Sequence, residues 1–255
     1  MRRKTLPFYA LPALLFFISV NWGCQKANTT PANNLVASAE NADLLADTIN
    51  LITLELQPGE DGQDAYVTQL NGDSSDVNSN ANFNYVHELA CIAWTINGTP
   101  VNQRSFIKFT GLSALPANAK IVAAGLLLSG INKSLNHPQG NSVYPGSPYL
   151  PQFPDNSCYV QGVKEDWDQT TITWNNQPAA FTQDEAIIPS SASQWKYDVS
   201  VDVTRLVRRM VAQQKNYGFR IVQASEVVYR SQQFAVSEDT APTKRPKLLI
   251  RYRLP

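Results

Sequence analysis

The chain has 255 residues, 43% of them hydrophobic and 16% charged, with 21 basic and 21 acidic side chains. It is too apolar for a disordered chain and long enough to bury one sizeable core. The balanced charge excludes the basic field that nucleic-acid binding requires. Loss of Arg2, Arg3 and Lys4 with a leader leaves a mildly acidic protein, which selects no partner.

The N-terminus has the order of a secretory signal. Arg2, Arg3 and Lys4 form a basic region, residues 6–20 an apolar one, and Asn21, Trp22, Gly23 and Cys24 follow. The apolar run is too short to span a membrane comfortably. A cysteine directly after a small residue resembles the bacterial lipobox, in the looser form found in Bacteroidetes, because Asn21 and Trp22 depart from the commonest pattern. The resemblance implies a signal peptide over residues 1–23 and a lipid on Cys24, the first residue of the mature protein. The alternative is an ordinary cleaved signal with a stray cysteine. Residues 24–50 are rich in Ala, Asn, Thr and Asp and read as a flexible tether. Acyl chains hold a protein at about 0.8 kcal/mol per buried methylene, so a lipid-anchored protein of the outer membrane is expected. No acid follows in Gln25, Lys26, Ala27 and Asn28, which leaves the membrane face open.

Residues 51–255 carry strand-length patterns. Residues 49–56 (INLITLEL) alternate and stop at Gln57 and Pro58; residues 64–70 (DAYVTQL) give a second strand. A polar loop over 71–82 leads to a third strand over 85–96, closed by the hairpin signal Asn97-Gly98. Residues 101–109 (VNQRSFIKF) alternate again, and 120–131 (KIVAAGLLLSGI) read as a buried central strand. Residues 132–157 contain five prolines with Tyr144, Tyr149 and Phe153, and form an irregular insert of the length that is often functional or mobile. Short strands follow at 158–163, 170–174 (TTITW), 198–203, 219–223, 233–236 and 247–252. The one helical pattern is 203–214, where Leu206, Val207, Met210 and Val211 share a face. Asp202 or Thr204 is placed to cap its start, and Gly218 lies near its end. Many short strands without βαβ alternation predict an all-β, antiparallel β-sandwich, jelly-roll-like, with one short helix.

The motifs in their order resemble a DNRLRE domain. They are Leu54 to Gly59 with Asp64 and Tyr66, Arg104 to Phe109, and Leu115 to Ile121 with Ala124 and Leu126. The second half adds Val163 and Trp167, Thr171 to Asn175 with Pro178, Asp202 to Thr204, Asn216 to Phe219, Phe234, Ser237 and Glu238, and Pro246 to Ile250 with Tyr252. The resemblance covers residues 52–253. It implies a cell-surface β-sandwich, similar to carbohydrate-binding modules of the disaggregatase-related and alginate-binding type. The insert over 132–157 is longer than in the simplest members.

No pattern marks a catalytic centre. There is no G-x-S-x-G elbow, and Asp166, Asp168, Glu226 and Glu238 show no spacing that singles out a glycosidase pair. Tyr229 and Arg230 have the composition of a lyase site, and both His87 and His137 read as loop or surface residues. Cys91 and Cys158 remain as a pair, either joined in a disulfide or buried as free thiols. No metal motif occurs. Calcium is the one cofactor considered, with Asp61, Asp64 and Asp73 as oxygen ligands, although turn formation explains the same residues.

The expected function is that of a non-catalytic glycan-binding or adhesion lipoprotein, with a polysaccharide or surface protein as partner. For an acidic polysaccharide, Arg104, Lys108, Arg220 and Arg230 would supply cations from neighbouring strands, and Trp94, Tyr149 and Trp195 would stack on sugar rings. Trp167 and Trp174 read instead as core. The alternatives are an assembly lipoprotein that contacts another protein through 132–157, and a polysaccharide lyase or hydrolase.

Overall fold

The computed structural model describes residues 50–58 and 62–255. The expected leader, Cys24, the expected tether up to residue 49, and Asp61 lie outside the described residues. Two antiparallel sheets face each other. One has four strands in the order β1 (Ile52–Leu56), β11 (Lys247–Arg253), β5 (Lys120–Leu128) and β8 (Val199–Asp202). The other has seven: β10 (Arg230–Phe234), β3 (Leu89–Ile96), β4 (Thr99–Lys108), β9 (Phe219–Gln223), β6 (Cys158–Gly162) and β7 (Ala186–Ile188), with β2 (Gln63–Leu70) also on β4. Among the described residues the chain therefore forms an all-β antiparallel sandwich with a single short helix.

Between the sheets, alternate residues interdigitate: Leu126, Leu128, Leu248 and Ile250 from one, Ile107, Phe219, Ile221, Leu89 and Phe234 from the other, all at or below 1% exposed. The helix α1 (Thr204–Gln213) closes one side by burying Leu206, Val207 and Met210, as its 3.6-residue period predicts. Asp202 Oδ1 accepts the Thr204 N–H at 2.9 Å, one of the otherwise orphaned donors of the first turn. The helix ends one turn before Gly218. Gln214 takes the left-handed conformation (φ 51°), and Gly218 (φ 77°) serves a different purpose. A Cβ on Gly218 would come within 2.3 Å of the Ile107 carbonyl oxygen, so only glycine lets the chain enter β9 this close to β4.

The seven-stranded sheet forks at β4. One edge of β4 pairs with β2 along Val101 to Lys108. Its other edge pairs with β3 up to Gln103 and with β9 from Ser105 onward. Between the two prongs side chains take over from the backbone ladder: Ser105 Oγ donates to the Ala90 carbonyl at 2.9 Å, and Gln223 Nε2 donates to the Cys91 carbonyl at 2.7 Å. Buried backbone groups must be paired somewhere, and these polar side chains in the core pair them.

Three local expectations are corrected. The third strand starts at Leu89, because the chain before it leaves the ladder, with Tyr85 67% exposed and Glu88 buried against the insert. Residues 170–174 form a turn held by Asp168, whose Oδ1 accepts the Thr170 N–H at 2.7 Å. The three-residue strand β7 was not expected, since so short a segment carries no readable alternation. In addition, Cys91 and Cys158 are free, fully buried thiols, so the bonded alternative is not what the structure shows; burial, followed by neighbouring Cys91, pushes the Cys158 thiol up.

The insert is pinned to the edge strand β10. Ser142 N–H donates to the Ser231 carbonyl at 3.1 Å, and Ser231 N–H returns a bond to Ser142 Oγ at 3.1 Å. Asn141 Oδ1 accepts the Gln233 N–H, and Asn156 Nδ2 donates to the Ser231 carbonyl. The insert thus covers an edge that would otherwise template aggregation. Phe234, fully buried where β10 meets the common core, tests this packing. Phe234→Ala is expected to cost about 3–5 kcal/mol, read as a lowered urea midpoint with an unchanged slope.

Candidate functional site

Four aromatic rings from three chain segments converge beside the start of β10. Trp94 on β3 meets Tyr149 of the insert at 4.7 Å and Tyr229 at 5.2 Å, both edge to face. Tyr149 and Tyr229 stack at 5.7 Å with planes 16° apart, and Phe153 meets Tyr229 at 5.3 Å. All four are half-buried, so each keeps some ring surface in water. The Arg230 guanidinium lies 5.5 Å from the Phe153 centroid. Its Nη1 donates to the Val227 and Val228 carbonyls, while its Nε is buried without a hydrogen-bond partner. Tyr229 has a φ of 69°, a backbone state that costs a bulky residue free energy and that tends to mark functional positions.

Residues 224–229 run from β9 to β10, and so from one prong of the fork to the other. Arg104, the β4 residue at the fork, grips this crossing. Its Nε and Nη2 bind Glu226 Oε1 and Oε2 at 2.7 and 2.8 Å, and its Nη1 donates to Gln177 at 3.2 Å. Its guanidinium lies 4.3 Å from the centroid of the Trp174 ring. A two-pronged, charge-assisted contact fixes orientation as well as distance. Arg104 is therefore a positioning residue for the segment that presents Tyr229.

The register does bring Arg104, Lys108 and Arg220 to one face of the sheet: Phe106 pairs with Arg220, and the other two flank Phe106 on β4. Each is engaged within the protein. Lys108 binds Asp166 at 2.6 Å and holds that carboxyl below its usual range. Arg220 donates to Gln161 Oε1 at 2.6 Å; burial, then the Arg104 charge, lower its pKa, though a guanidinium stays charged regardless. Arg230 belongs to the aromatic group instead. Trp195 makes no ring contact there; it packs over Gly140. Trp167 is buried against Phe106, with its Nε1 donating to the Tyr217 carbonyl at 2.8 Å, as a core residue should be.

Residues 152–252 match the family model for carbohydrate-binding module family 96. The matched stretch contains Phe153, Tyr229 and Arg230, and it supports a carbohydrate-binding, non-catalytic role. Comparison with the curated proteins gives no match. Trp94 and Tyr149 lie outside the matched residues, and join the other rings only through the fold.

Sequence reasoning missed two features. Tyr229 completes the cluster together with Phe153, an aromatic of the insert; in the sequence, beside Arg230, it reads only for its resemblance to a lyase site. His137 is buried, with its Nδ1 2.7 Å from Glu88 Oε1, instead of lying in an open loop. Burial alone would raise Glu88, but hydrogen bonds and charge from His137, with Ser134 and Asn136, outweigh it and leave the carboxyl below its ordinary range. That pair ties the start of the insert to β3.

The calcium expectation finds turn and packing partners instead. Asp73 Oδ1 accepts the Ser75 N–H at 2.8 Å in a local turn. Asp64 is buried and accepts the Ser237 N–H at 2.6 Å. Among the described residues no group of three His, Cys, Asp or Glu side chains is placed to hold a metal. Burial, then the charge of Glu238, raises Asp64 from 3.8 to about 6. A raised carboxyl stabilises the fold fully below its unfolded value, and that contribution is lost as pH rises through the folded value. Between pH 4 and pH 8 the wild type should therefore lose about 2 kcal/mol more stability than Asp64→Asn, as urea titrations at the two pH values would report.

Proposed function

We propose that this protein is a membrane-anchored, non-catalytic lipoprotein that binds an acidic polysaccharide through the cluster of Trp94, Tyr149, Phe153 and Tyr229 with Arg230. One observation carries the reading: half-exposed rings from separate segments meet beside the Arg230 guanidinium, whose Nη2 makes no hydrogen bond among the described residues. Aromatic faces suit the C–H face of a pyranose, since they desolvate apolar surface without demanding hydrogen bonds. A uronate or sulfate oxygen would satisfy Arg230 by the charge-assisted bond the protein leaves unmade. The match to a carbohydrate-binding family agrees with this chemistry. Arg104, Lys108 and Arg220 then act behind the surface, where they hold its loops.

The rings are expected to dominate affinity and Arg230 to set charge preference. In affinity electrophoresis through alginate, Trp94→Ala and Tyr229→Ala should each weaken retention about tenfold. Arg230→Gln should lose retention on alginate while leaving any retention on a neutral glucan. Folded wild-type protein that passes unretarded through every acidic and neutral polysaccharide would contradict the reading.

The anchor rests on the lipobox resemblance around Cys24. In cells, Cys24→Ser should move the protein from the membrane to the soluble fraction and abolish incorporation of labelled palmitate. Membrane association that persists unchanged in the variant would remove the acyl anchor from the proposal.

A further inference from the structure

The outward face of the four-stranded sheet carries a groove of about 470 Å³, lined by Thr53, Ala123, Gly125, Leu127, Ser200, Asp202, Leu249 and Arg251. An antiparallel sheet with one wet face normally turns polar side chains to water. Here the central strands turn out Ala123, Gly125, Leu127 and Leu249, which are half-buried but uncovered by any described element. The register places Arg251 beside Ala123 and Asp202 beside Gly125, on opposite sides of β5. Adjacent strands lie about 4.8 Å apart, so the two charges stand across a floor about 10 Å wide.

The walls have unmet hydrogen-bonding capacity. Asp202 Oδ1 caps α1 through Thr204, but its Oδ2 has no hydrogen-bond partner among the described residues. Arg251 is exposed and makes no hydrogen bond or ion pair among the described residues, whereas Lys247 on the same face is committed to Glu55 at 2.8 Å. A narrow apolar floor between a donor wall and an acceptor wall suits a ring with hydroxyls on its rim and C–H groups on its face. Ser200, Asp202, Leu249 and Arg251 also fall within the residues that match a carbohydrate-binding family.

We propose that this groove is a second glycan-binding site. A sugar residue lies on Ala123, Gly125, Leu127 and Leu249, with its hydroxyls toward Asp202 and a hydroxyl or carboxylate toward Arg251. The inference shares with the function proposed above only the class of ligand, a polysaccharide. It uses none of the same residues, and it makes the protein able to hold one chain at two places or two chains at once.

Methyl-resolved NMR of the purified protein, titrated with alginate hexasaccharide and in parallel with cellohexaose, separates the two sites. The Ala123, Leu127 and Leu249 methyls report the groove, and the Trp94 indole reports the aromatic cluster. Saturable shifts of the groove methyls with at least one probe are expected. Gly125→Leu should weaken that binding about tenfold and leave the Trp94 response intact. A Cβ at 125 meets Ser200 Oγ and Leu127 Cδ1 only at 3.6 and 3.7 Å, ordinary contact, and the rest of the side chain projects into the groove. Arg251→Ala should act the same way. Shifts confined to Trp94, or groove shifts indifferent to both variants, overturn the second site. Groove shifts with a silent Trp94 uphold it and overturn the aromatic one, and silence of both overturns both.

Discussion

The forked pairing of β4 constrains everything around it. One strand carries β2 on one edge and divides its other edge between β3 and β9, so two prongs diverge from Arg104. Divergence leaves backbone groups without ladder partners inside the sandwich. Ser105 and Gln223 supply them, which is why polar residues below 5% exposure sit in an otherwise apolar layer. The fork also forces the connection from β9 to β10 to cross between prongs, and that crossing displays Tyr229. A strained residue such as Tyr229 persists only where its surroundings hold it. The two-pronged Arg104–Glu226 contact at one end and the β10 ladder at the other do so.

Pairing divides the cations of this protein into two kinds. Those on the outer face of the larger sheet are engaged at short range, Lys108 and Arg104 by the carboxylates of Asp166 and Glu226 and Arg220 by the amide oxygen of Gln161. Such partly buried pairs orient loops and leave little field for a ligand. Arg230 leaves its Nη2, and the exposed Arg251 its guanidinium, without a hydrogen bond among the described residues. A ligand gains most where the protein has already paid for desolvation without completing the bonds, so free donors beside apolar surface distinguish a contact surface from a structural one.

Much of the architecture was legible because strand period, turn chemistry and helix period are local. The Asn97-Gly98 hairpin forms with both residues at positive φ, and α1 lies within one residue of its predicted span. The insert was legible as irregular, but not as ordered: its anchors are single Asn, Ser and Gln side chains that look alike in a loop and in a core. His137 shows the same limit. Nothing next to it in sequence foretells Glu88, which lies on the far side of a long connection.

By itself, then, the amino-acid order determined an antiparallel sandwich, its helix, and a Trp167 destined for the core, since hydrophobic period decides which face each element buries. It also identified Trp94, Tyr149 and Arg230 as residues of the right type. Only the tertiary structure decided that these three meet, that Phe153 and Tyr229 join them, and that Arg104 stands behind the surface. Contacts of that kind depend on strand order and on which edge of β4 each prong takes. Those are set by long-range pairing energies that no short stretch of sequence contains.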